Sequence, residues 1–67
     1  MEDLLHKPEA VADFLGTTTG NLAQMRYRGN GPKFIKVSGK AVRYRQSDIE
    51  AWLLAQTRQQ TGQIISA

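Results

Sequence analysis

Apolar residues recur along this chain at two periods, and the change from one to the other divides it. From Pro8 the period is helical: Val11, Phe14 and Leu15 fall at i, i+3 and i+4, one stripe of a helix. Pro8 suits the first helical position, where the N–H it lacks has no partner in any case. Glu9 in that first turn complements the helix dipole, and Gly16 suits the position just past the last turn. The spacing predicts a first helix over Pro8–Leu15. Thr17-Thr18-Thr19 follows at once, with Thr18 placed to cap a second helix over Thr19–Arg28. Leu22 and Met25 are the apolar positions of that helix, and Gly29 is its terminator.

Past Gly29 the period shortens to two. Asn30-Gly31-Pro32 is a turn cluster. Phe34–Val37 and Ala41–Arg45 are β-prone runs, and Ser38-Gly39-Lys40 between them reads as a short hairpin loop. The second run alternates, with Val42 and Tyr44 on one face and Arg43 and Arg45 on the other. This predicts a two-stranded ribbon with a basic outer face. Its apolar face must pack on the helices, because an isolated hairpin is barely stable. Ser47 and Glu50 have the spacing of a capping box, and Ile49, Trp52 and Leu53 renew the helical stripe, which predicts a third helix over Asp48–Arg58. Phe14, Met25, Tyr44 and Trp52 are expected in the core. The residues before Lys7 read as ragged, and those from Gln59 onward as a flexible tail. The apolar pair Ile64-Ile65 in that tail has two readings: a dock for a neighbouring molecule, or an end without a role. The fold class is α+β, mainly α. One domain spans residues 1–58, and the tail spans residues 59–67.

Composition narrows the functions open to such a chain. Sixty-seven residues leave room for one domain. At this size folding buries only about 60% of the unfolded chain's surface, so the core is thin and has no space for an enclosed cofactor. There is no cysteine, hence no disulfide, thiolate nucleophile or cysteine-bound zinc. The longest apolar run, Ala51 to Ala55, is far short of the roughly 20 residues of a membrane span. Met1-Glu2-Asp3 does not open a signal peptide, so a cytoplasmic location is expected. His6 is the lone histidine and has no adjacent Cys, Ser or acidic pair at a helical spacing, so neither enzymatic chemistry nor a metal site is expected. No cofactor and no small-molecule substrate are implied.

The charge is segregated. Residues 21–46 hold Arg26, Arg28, Lys33, Lys36, Lys40, Arg43 and Arg45 and not one acid, whereas both flanks are net acidic. The plain reading is a solvated surface. A single-sign field of this kind otherwise meets an anionic partner. The glycines and proline inside the block prevent it from being one basic amphipathic helix, which argues against a membrane surface. That leaves nucleic acid. At about 100° per residue, with Leu22 facing inward, Gly20, Gln24, Tyr27 and Arg28 project outward and Ala23 lies on the flank. Gln can bridge adenine N6 and N7, and Arg the O6 and N7 of guanine. Thr19 and Asn21 occupy the helix start, where first-turn side chains touch DNA, and Tyr27 and Arg28 lie near its end, where phosphate contact is as natural as base contact. Gly20 fits either a close approach of backbone to DNA or tolerated drift. Arg26, Lys33, Lys36, Arg43 and Arg45 are candidate phosphate contacts, with Ser38, Gly39 and Lys40 at the ribbon tip.

Several segments together carry a resemblance. Pro8-Glu9-Ala10-Val11-Ala12 with Leu15-Gly16 comes first, then Gly31-Pro32-Lys33-Phe34-Ile35-Lys36-Val37, then Val42-Arg43-Tyr44-Arg45 and Ser47-Asp48-Ile49-Glu50-Ala51-Trp52-Leu53. In this order they resemble the small winged-helix proteins of the excisionase and AlpA-like group, similar at a distance to MerR-type DNA-binding domains. The likeness covers Lys7–Leu54. It implies a winged helix-turn-helix whose second helix enters the major groove and whose wing enters the minor groove. It further implies binding to repeated sites in phage attachment DNA, with several copies side by side, bending of the DNA, and an integrase partner directed toward excision. A small transcriptional regulator uses the same surface, and a protein-interaction module without DNA binding is the third reading. The chain departs from the group at Lys7, where a hydroxyl cap is usual. Gly20 and Ala23 also shorten the reading surface, which suits weak single-copy binding and cooperative, shape-dependent assembly.

Overall fold

The computed structural model describes residues 3–58. Its elements run β1 (Leu5–His6), α1 (Pro8–Leu15), α2 (Thr19–Arg28), β2 (Ile35–Ser38), β3 (Ala41–Arg45) and α3 (Gln46–Gln56). The three strands form one antiparallel sheet in the order β1-β3-β2. This is a small winged helix-turn-helix. The first two helices have the predicted bounds and the predicted punctuation. Gly16 adopts the left-handed conformation, φ 73°, that closes α1. The Thr17 N–H then returns to the Ala12 carbonyl at 2.9 Å. The Thr18 hydroxyl caps α2 by accepting the Asn21 N–H at 3.0 Å.

The core is small, as the length requires. Val11, Ala12, Leu22, Tyr44 and Ile49 are buried, and Leu15, Met25, Phe34, Val42 and Leu53 pack against them. Leu22 and Tyr44 are fully buried, which sets the rotation of α2 and anchors the central strand under it. Phe14 is instead exposed. The buried stripe of α1 is Val11, Ala12 and Leu15, with half-buried Pro8 above it. A small alanine at i+4 from Pro8 takes the inward position, and Phe14 falls one step outside the stripe. Trp52 also differs from expectation: it is half-buried, outside the core cluster, and its indole N–H donates to the Asn30 carbonyl at 3.2 Å.

The N-terminal residues are not ragged. Leu5 pairs with Arg45 and His6 with Tyr44, so a two-residue strand widens the ribbon into a sheet. These residues also start α3, which begins at Gln46 and ends at Gln56 rather than spanning Asp48–Arg58. The capping box does not form. Asp3 accepts both the Ser47 N–H at 3.1 Å and the Ser47 hydroxyl at 2.7 Å, and the Gln46 N–H goes to the Leu4 carbonyl. Glu50 accepts the Gln46 side-chain amide, and the other side of Gln46 meets His6 Nε2 at 2.6 Å. A carboxylate from 44 residues upstream thus satisfies the helix-start donors that Ser47 and Glu50 were expected to serve. The bonds from Ser47, its hydroxyl first and its N–H second, hold the Asp3 carboxyl below the usual carboxylate range, and the charges of Arg45 and His6 add to this.

Candidate nucleic-acid interface

With Leu22 locked inward, the rest of α2 presents the expected face. Thr19, Gly20, Asn21, Ala23, Gln24, Tyr27 and Arg28 are all exposed, Tyr27 at 93%. The first turn is held in place from within: the Asn21 side-chain amide donates to the Thr17 hydroxyl at 2.9 Å, so its donor side is already committed. The fold does not require glycine at Gly20. A Cβ built there meets only the Thr18 hydroxyl oxygen, at 3.9 Å. Gly31 is the opposite case, because a Cβ there would lie 2.9 Å from Met25 Cβ. That glycine lets the loop close against α2.

The wing is tighter than predicted. Ser38 belongs to β2 and pairs with Ala41, leaving Gly39-Lys40 as a two-residue tip with Gly39 at φ 56°. Lys36 pairs with Val42, so Val37 is the extra residue of a bulge and stands 45% exposed. This register corrects the expectation of one basic face. Directly opposed residues share a face. Lys36 therefore lies on the side of Val42, and Arg43, opposite Ile35, lies on the other. Cations flank the ribbon on both sides. In a minor groove about 6 Å wide a phosphate strand runs along each wall, so both sides have a partner there.

The remaining cations divide into two kinds. Arg28, Lys33, Lys36 and Lys40 are exposed, and among the described residues the Arg43 guanidinium donates only to the carbonyl of neighbouring Val42. Arg26 and Arg45 are held by other side chains. Arg26 donates to the Tyr44 hydroxyl at 2.7 Å and lies 5.7 Å from the centre of the Phe34 ring. It ties α2 to the sheet. Arg45 forms an ion pair with Asp48 at 3.0 Å. Sequence reasoning assigned no role to Asp48, although its i+3 spacing from Arg45 was visible. Asp3 was missed for lack of any local signal.

Among the described residues no cluster of His, Asp and Glu could hold a metal ion, and no helix is long and apolar enough to cross a membrane. The exposed face of α2 and the cation-flanked wing follow one another in the chain and are joined by the short loop of Asn30 to Phe34. That arrangement suits a duplex, with an α-helix in the wide groove and a narrow ribbon beside it. No curated protein and no solved structure matches the chain. Residues 7–57, however, match the helix-turn-helix domain family, which includes AlpA- and excisionase-like small DNA-binding proteins. The chain belongs to that family of DNA-binding helix-turn-helix domains.

Proposed function

We propose that this protein is an excisionase-type architectural factor. It binds duplex DNA at phage attachment sites as several adjacent copies, bends it, and directs a separate integrase toward excision, with no chemistry of its own. The observation that carries this reading is the pairing of a spare reading face with a wing that is cationic on both sides. Gly20 and Ala23 leave Gln24, Tyr27 and Arg28 as the side chains with reach toward bases, whereas Lys36, Lys40 and Arg43 supply phosphate contacts on the wing. Few base contacts with many phosphate contacts favour recognition by DNA shape and by neighbouring copies over a single high-specificity site.

Footprinting on DNA flanking the gene, with bend analysis of the shifted complex, tests the proposal. Phased protection of repeated sites, a bend, and a further shift on adding an integrase are expected. Protection confined to promoters, without a bend, would make the protein a transcriptional regulator of the same fold instead.

A further inference from the structure

A cleft of about 330 Å³ opens between the C-terminal end of α2 and the base of the wing. Cations from three separate elements line it: Arg26 of α2, Lys33 of the connecting loop and Arg45 of β3. It lies at the junction of helix and wing. On a duplex that takes α2 in one groove and the wing in the next, this junction faces the sugar-phosphate strand dividing them. Arg45 reaches the cleft already partnered, since the Asp48 carboxylate accepts its N–H at 3.0 Å. This is the only ion pair among the described residues. Asp48, in the first turn of α3, also lines an adjoining cleft together with Lys33. A carboxylate set against an arginine here offers the same charge and the same kind of oxygen acceptor as a phosphate diester.

We propose that the cleft of Arg26, Lys33 and Arg45 is the seat of a single DNA backbone phosphate, and that Asp48 occupies Arg45 in the free protein until that phosphate displaces it. Asp48 thereby lowers the affinity of the free state for any duplex. The inference rests on the DNA-binding reading and adds to it a built-in competitor.

The test is Asp48→Asn in the full chain, titrated with duplex DNA across a range of salt. Arg45 then becomes available to phosphate. Binding should tighten about two- to five-fold at low salt, the span of an exposed ion pair. The slope of log K against log salt should stay the same, because the seat holds the same single phosphate in both complexes. Asp48→Ser, which keeps a helix-start acceptor, repeats the measurement if the asparagine variant folds poorly. Asp13→Asn removes the same charge from the exposed face of α1 and should give a smaller gain. In an Arg45→Gln background the gain from Asp48→Asn should vanish. Equal gains from Asp13→Asn, or a gain that survives Arg45→Gln, would reduce the effect to net charge and overturn the proposal. No gain at position 48 in a protein that binds duplex DNA would overturn the seat and leave the function standing. A wild type that ignores duplex DNA would overturn both.

Discussion

Gly20→Ala should move stability and DNA affinity in opposite directions. Gly20 is the second residue of α2, just after the Thr18 cap, and its surroundings are open: an added Cβ meets nothing nearer than the Thr18 hydroxyl oxygen at 3.9 Å. Alanine therefore introduces no clash, and it removes conformational freedom that the unfolded chain has at glycine. Compatible Gly→Ala changes stabilise by about 0.4–1 kcal/mol. A first-turn position belongs at the lower end, and about 0.5 kcal/mol in a domain this small raises Tm by roughly 2–4 °C. Binding should suffer, because the same methyl group stands on the exposed face of α2, where a glycine lets the backbone approach the groove floor. Thermal unfolding by circular dichroism and fluorescence anisotropy on one duplex give both numbers from the same sample. Lower stability would refute the open environment assigned to Gly20. Unchanged affinity in the stabilised variant would refute the close approach and make Gly20 a tolerated helix glycine.

Gly31→Ala should destabilise by about 1–3 kcal/mol, since its Cβ would fall 2.9 Å from Met25 Cβ and either the loop or α2 must shift; a lowered Tm checks it. The bonds from Ser47 lower the Asp3 pKa in the folded state, so they add stability above the unfolded value and lose it as pH falls through the folded one. Thermal melts of the wild type should therefore weaken more steeply with acid below about pH 4 than those of Asp3→Asn, and parallel curves would refute the brace. Arg43→Ala and Lys36→Ala should each flatten the salt slope by about 0.9 on every duplex alike. Gln24→Ala should cost about 1–3 kcal/mol on some sequences and little on others, and an even loss would remove Gln24 as a reader.

The parts of this fold that were legible in the sequence are those set by neighbours in the chain. Pro8 and Gly16 bound α1, Thr18 and Gly29 bound α2, and the alternation of Val42, Arg43, Tyr44 and Arg45 marks the central strand. The outward face of α2 followed from its one dominant inward residue, Leu22. Long-range features were not legible. A two-residue strand such as Leu5–His6 is too short to show a period, and it exists because β3 has a free edge. The donors at the start of α3 had a local candidate in Ser47 and Glu50, but Asp3 reached them first. Phe14 looked more hydrophobic than Ala12, yet the close packing of α1 selected the smaller side chain. The bulge at Val37 slid Lys36 to the face of Val42, a shift that alternation alone cannot reveal.

The central claim is that α2, the loop after it and the wing together meet duplex DNA through their cations. Arg28, Lys33, Lys36, Lys40 and Arg43 are the five members of the basic block that no other side chain holds among the described residues. Five phosphate contacts correspond to a slope of log K against log salt near −4.5, at about −0.9 for each. The most direct test is the salt dependence of duplex binding by the whole protein, read together with amide shifts on titration. A slope close to that value, with shifts confined to residues 19–28 and 33–45, is the predicted result. A protein that fails to bind duplex DNA at low ionic strength, or whose shifts fall on α1 and the C-terminal half of α3, would contradict it.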